Sequence, residues 1–281
     1  MSKRFRFHLA WLCLLLTQCA PDRVAGGAGA GNPPLADVTL AFKAGSAGDT
    51  VLRKASTGVV RNPDGTFTVR DSGGAALILT AITVQVEKID FELPTGISCA
   101  QATGVACDSD EVSIKGAFAM DLIVGSSVPP VSRFRLPEGV YRKVGLGLVE
   151  QESESSHGSE GGDTGSAAAP NMIIRGHTDS AAGPVRSFSL QLNLSEGLDF
   201  DNPSGLKIKA DSLNSVVLQL AVDHWFAGVE LARCLDSASV PDTTGVLVLK
   251  GDGTCGGSVL RIRRNIEASG DLGDDDMERK P

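Results

Sequence analysis

Aromatic rings and histidines are what this chain has least of: 2 Trp, 1 Tyr and 10 Phe in 281 residues, and only 4 His. So few flat faces leave little for stacking against nucleobases or sugars. Positive charge is short as well, with 26 Lys and Arg against 34 Asp and Glu and a net charge of −8. That balance excludes an electrostatic grip on nucleic acid or on anionic lipid headgroups, both of which need clustered cations. The longest apolar run, His8 to Leu16, falls short of the roughly 20 residues that a transmembrane helix needs. Missing too are a C-x-x-C pair and a G-x-S-x-G turn, the marks of the commonest zinc and serine-hydrolase sites.

What stands at the N-terminus reads as an export signal. Lys3, Arg4 and Arg6 form a positive segment ahead of the apolar run "HLAWLCLLL". Cys19 follows directly, and Leu16-Thr17-Gln18-Cys19 resembles the bacterial lipobox, in which signal removal exposes a cysteine whose sulfur takes a diacylglycerol. Gln18 stands where that pattern has a small residue. The resemblance implies an exported protein held to a membrane of the cell envelope through acyl chains on Cys19. The alternative is cleavage at Ala28-Gly29-Ala30, which lies further from the apolar run, with Asp22 and Arg23 between. Loss of residues 1–18 removes three cations and no anion, so the mature balance moves from −8 to about −11. Acyl chains, not a basic patch, would then hold the protein to the membrane.

Cysteine usage agrees with export. Of 6 cysteines, Cys13 leaves with the signal and Cys19 takes the lipid, so Cys99, Cys107, Cys234 and Cys255 remain. An even number in an exported chain reads as disulfides with three possible connectivities. The local one, Cys99 with Cys107 and Cys234 with Cys255, is favoured.

"VAGGAGAGNPP" (24–34) cannot build a core, so residues 19–35 form a Gly/Ala/Pro tether. From 36 to 268 the dominant period is two. Phe188, Leu190, Leu192 and Leu194 alternate with polar residues; Val112, Ile114, Phe118, Met120, Leu122 and Val124 share one face of a second run; Val144, Leu146 and Leu148 mark a third and Val216, Leu218, Leu220 and Val222 a fourth. Val38, Leu40 and Phe42 open the domain, and Phe67 with Val69 marks a short hairpin partner. In "AITVQVEKIDFEL" the apolar phase slips by one residue near Glu87-Lys88, which predicts a β-bulge. Asn62-Pro63-Asp64-Gly65, Pro137-Glu138-Gly139 and Asp201 to Gly205 carry turn chemistry. Together these predict an all-β fold, an antiparallel β-sandwich. One helix is expected, from Val259, Ile262 and Ile266 at i, i+3 and i+7, with a disordered acidic tail at 269–281 after it. The apolar-poor stretch 151–170 reads as a mobile insert.

Candidate chemistry is thin. Asp163-Thr164-Gly165-Ser166 matches the aspartic-protease tetrapeptide but lacks the apolar strand that should precede it. His177 with Asp179 is the one histidine–acid pair to consider; His157 lies in the insert and His224 at a strand end. Asp252 in "KGDGTC" and the tail acids Asp271, Asp274, Asp275 and Asp276 offer hard oxygens without a recognised calcium loop. Trp225, in "HWFAG", could face a sugar but fits better as a plug at the end of the sandwich. No catalytic residue, metal or cofactor is expected.

Three stretches, "RFRLPEGVYRKVGLGLVE" (133–150), "NPSGLKIKA" (202–210) and "SVVLQLAVDHWF" (215–226), resemble bacterial secreted lipoproteins that carry an immunoglobulin-like or transthyretin-like domain of unknown function. The likeness lies in an L-P-x-G-x-Y turn, a P-S-G-x-K stretch and a closing alternating strand, over residues 76–228. It implies a β-sandwich in the cell envelope with no assigned activity and no catalytic residues to carry over. The expected partner is an envelope protein or a glycan, and the acidic balance argues against nucleic acid. A carbohydrate-binding or calcium-dependent surface module is the alternative.

Overall fold

In a computed structural model the described residues are 33–45, 59–98, 105–108, 110–131, 133–149, 169–179, 184–194, 197–238 and 245–274. They form a β-sandwich with two helices near the C-terminal end. The strands are β1 (Leu35–Gly45), β2 (Val59–Arg61), β3 (Phe67–Arg70), β4 (Ala76–Glu92), β5 (Ala106–Cys107), β6 (Glu111–Asp121), β7 (Ser126–Val128), β8 (Phe134–Pro137), β9 (Gly139–Leu148), β10 (Met172–Thr178), β11 (Ser187–Leu192), β12 (Leu198–Ile208), β13 (Asn214–Ala221), β14 (Val246–Leu249) and β15 (Gly270–Asp274). The helices are α1 (Leu231–Ser237) and α2 (Gly256–Glu267).

Hydrogen bonding runs in the order β14-β11-β10-β4-β9-β12-β15-β13-β1-β8. β4 also pairs with β3 and β6 on its other side, and β6 with β5 and β7. At 17 residues β4 is long enough to serve all of these neighbours because it breaks phase twice. Pairing shifts between Val86 and Lys88, where the apolar pattern slips, so Val86 and Ile89 both reach the core. It shifts again opposite Arg175 and Gly176, which pair with Ala81 and Leu79 and leave Thr80 as the extra residue. Most pairs are antiparallel, as expected, but β1 with β13, β11 with β14 and β12 with β15 run parallel. Those partners lie far apart in the chain, and alternation along one strand carries no record of its neighbour's direction.

The core is one cluster in which Phe91, Tyr141, Phe188, Phe200, Trp225 and Phe226 are the largest members. Pro137 to Tyr141 shows why the L-P-x-G-x-Y pattern matters. Glu138 bends the chain from β8, which pairs with β1, into β9, which pairs with β4 and β12, so it joins two parts of the fold and closes no hairpin. The buried Tyr141 hydroxyl donates to the Pro137 carbonyl at 2.8 Å, a tyrosine corner. Its phenol is pushed well above the ordinary tyrosine range by burial, which keeps it protonated as a donor. At Gly139 a methyl group would strike Pro94.

Four expectations need correction. Val124 is 70% exposed, because β6 ends at Asp121 and a turn, held by the Asp121 carboxylate accepting from the Ile123 and Val124 amides, carries Val124 outward. Asp201 to Gly205 is no chain reversal. Asn202 Oδ1 accepts from the Ser204 and Gly205 amides and folds four residues into a bulge of β12, which pairs with β9 at Asp201 before it and at Leu206 after it. A second helix, α1, precedes the expected one. The sheet runs past residue 268, since the backbone of Gly270–Asp274 pairs with both β13 and β12. The signal, Cys19, most of the tether, Cys99 and residues 151–168 of the insert lie outside the described residues. Among the described residues no helix is long and apolar enough to cross a membrane.

Candidate functional site

The helical end of the domain is assembled by contacts from distant parts of the chain. β13 stops at Ala221, a 3-10 turn spans Val222–His224, and Trp225 then turns fully inward. Trp225 Nε1 donates to Ser269 Oγ at 2.8 Å, and that hydroxyl donates to the Ile266 carbonyl at 2.8 Å. Asn265 Nδ2 donates to the carbonyls of Trp225 and Ala227, so α2 is fastened across the turn. α2 buries Val259, Ile262 and Ile266, while the Arg261 guanidinium lies over the backbone of Gly228, a position with φ +69° where a side chain would collide with it. Cys255 opens α2 in the left-handed region (φ 63°) and is disulfide-bonded to Cys234 of α1. The stretch from Lys250 to Gly256 closes as two successive turns, Gly253 donating to the Lys250 carbonyl and Gly256 to that of Gly253.

Between the end of β11, this loop and the outer side of α2 lies a cleft of about 360 Å³, whose lining includes Gln191, Asn193, Lys250, Asp252, Leu260 and Arg263. Its charge is mixed: Arg263 Nε donates to Glu267 Oε1 at 3.2 Å, and Asp252 sits in the same lining as the two cations. Lys250 and Arg263 beside Asp252 make a poor setting for calcium, which asks for several oxygens and no competing cation.

The residues singled out from the sequence fall in separate places. Cys107 is disulfide-bonded, and its expected partner Cys99 lies outside the described residues. His177 sits in β10 with Nδ1 3.1 Å from the Thr178 carbonyl. His224 is largely exposed, its Nε2 4.0 Å from Asp223 Oδ2. Trp225 plugs the end of the sandwich and, fully buried, offers no face to a sugar. Asp271 and Asp274 belong to β15, whereas Asp275, Asp276, His157 and Asp163 to Ser166 lie outside the described residues. Among the described residues no group of three or more His, Cys, Asp and Glu is placed to hold a metal. Apart from Asp252, whose loop stood out for its hard oxygen, the cleft gave no signal in the sequence. Gln191 and Asn193 read as the polar side of a strand, and Arg263 as the wet side of a helix.

No family model and no curated protein matches the chain. Among solved structures, MbnP from Methylosinus trichosporium is similar over 87% of this chain and 100% of that chain, with 12% identity and a TM-score of 0.35. A likeness that slight carries no reading of the site.

Proposed function

We propose that this protein is exported, held in the cell envelope by acyl chains on Cys19, and binds or organises another envelope component through its β-sandwich without catalysing a reaction. The observation that carries this reading is the oxidised state of its cysteines: Cys107, Cys234 and Cys255 are all in disulfides. Disulfides of this kind belong to compartments outside the cytosol. The lipobox-like end of the signal supports the anchor, and the resemblance to envelope lipoproteins supports the setting. With Trp225 buried, the aromatic face that a carbohydrate-binding reading called on is turned into the core.

Fractionation of cells carrying Cys19→Ser tests the anchor. The wild-type chain should sediment with membranes after a high-salt wash and the variant should stay soluble. A variant that still sediments would rule out the acyl anchor.

A further inference from the structure

Resting on the reading that acyl chains on Cys19 hold the protein at a membrane, we infer that the domain sits on the bilayer with one end down, dipping Leu213 among the lipid headgroups. Leu213 is 61% exposed in the turn that joins β12 to β13. Single exposed leucines are ordinary, but this one is held out on a fixed frame. Asn214 Oδ1 accepts from the Lys209 amide at 3.0 Å. Asn214 Nδ2 lies 2.9 Å from the Lys209 carbonyl, 3.0 Å from that of Ser212 and 3.1 Å from that of Asp37. A turn already ordered in this way covers its leucine with hydrocarbon at little further entropic cost.

The same turn stands where the tether enters the sandwich. The Glu138 amide donates to the Pro34 carbonyl at 2.8 Å, Glu138 Oε2 accepts from the Ala210 amide at 3.2 Å, and the Asn214 bond to Asp37 reaches β1 itself. Leu35 lies 16 positions after Cys19, so covalent reach alone keeps it within about 55 Å of the acylated sulfur. On such a leash a contact between domain and bilayer is intramolecular, and a weak one is enough to set the orientation. Charge permits it. Lys207 and Lys209 are exposed on the approach to the turn, placed to meet headgroup phosphates, and Arg135 pairs with Asp37 at 3.6 Å. Asp211 and Glu138 balance the two lysines, so this face is near neutral in a chain of net charge −8 and an anionic bilayer repels it least. The acyl chains supply the affinity and the face supplies the orientation. The turn that carries Trp225, at the far end of β1, then points away from the membrane, which leaves that end and the sides of the sandwich open to another envelope component.

The test uses the chain extracted from its own membranes and returned to vesicles of phosphatidylethanolamine and phosphatidylglycerol. The vesicles also carry a lipid brominated in its acyl chains, a short-range quencher of tryptophan. Trp11 leaves with the signal and Trp225 is buried, so Leu213→Trp and Val124→Trp each add one reporter at a largely exposed position. Val124 is the control: it is 70% exposed and lies at the other end of β1, where the Ala44 amide donates to the Leu122 carbonyl. Leu213→Trp should shift its emission to the blue and lose intensity to the brominated lipid, and Val124→Trp should do neither. Leu213→Trp left unquenched in chains that float with the vesicles would overturn the inference while the anchor stands. Quenching of Val124→Trp as strong as that of Leu213→Trp would overturn it as well. Chains that do not float would refute the anchor, and the inference would fall with it.

Discussion

On the polar side of β4 and β6, the Ser113 hydroxyl lies 2.7 Å from Asp90 Oδ1 and 3.2 Å from Glu111 Oε1, while Lys88 Nζ pairs with Asp90 Oδ2 at 2.7 Å. Burial and then the Asp90 charge beside it raise the Glu111 carboxyl above the ordinary glutamate range. The folded state therefore holds that proton to higher pH than the unfolded chain does. Stability contributed by protonated Glu111 is present below the unfolded value of 4.5 and is lost as pH rises through the raised folded value. Glu111→Gln should accordingly be more stable than the wild type at pH 7, with the difference closing at the acid end. Urea midpoints across that range provide the check, and a variant less stable at pH 7 would contradict it. Lys88 shifts upward through its bond to Asp90, so its contribution persists until strongly alkaline pH. At this scale the sequence was legible where one residue type has one use. Trp225 could be read as a plug because a lone tryptophan next to an apolar strand has few other places to go. Glu111 could not, because its partner Asp90 is 21 positions away and meets it only across a strand pair.

α1 illustrates what elements borrow from one another. Its N-cap residue, Glu230, makes no side-chain capping bond. Asp71, 5% exposed in the turn between β3 and β4, supplies the cap: Oδ1 accepts from the Ala75 amide and Oδ2 from the Ala232 amide, both at 3.0 Å. Ser72 donates to the Val229 carbonyl beside it. Asp71→Ala leaves two amides without their carboxylate and should destabilise the domain by about 2 kcal/mol, with Asp71→Asn losing less. A denaturation midpoint for Asp71→Ala within about 0.5 kcal/mol of wild type, the scatter of ordinary surface changes, would contradict that role. Elements were legible to the extent that their signals are local. The bulge at Glu87-Lys88 showed because Ile82, Val84 and Val86 hand over cleanly to Ile89, Phe91 and Leu93. The one at Thr80 stayed hidden because Leu77, Ile78 and Leu79 are all apolar and fit either phase. α1 escaped notice because seven residues with only Leu231 and Leu235 buried leave almost no helical period, and its cap arrives from 161 residues away.

For the whole molecule, the direction of β1 sets the layout. It starts at Leu35, paired with Pro137 near the tyrosine corner, and finishes at Gly45, paired with Ala221 next to the 3-10 turn. Its 11 residues span about 33 Å from the first Cα to the last, at about 3.3 Å per step. The chain thus enters the sandwich at one end of β1, and the turn that carries Trp225, fastened to α2, lies at the other. An all-β sandwich with a helix near its C-terminus was legible from period-two alternation and from turn chemistry. The parallel pairings and the cleft were not, since both depend on which distant segments become neighbours. Export, acylation and disulfide formation, by contrast, are chemical statements about single positions and can be examined together. The most direct measurement is the intact mass of the protein extracted from its own membranes, before and after reduction and thiol alkylation. The account predicts a chain that begins at Cys19 and carries acyl groups, with Cys99, Cys107, Cys234 and Cys255 alkylated only after reduction. An unacylated chain beginning at Gly31, or thiols that alkylate without reduction, would contradict it.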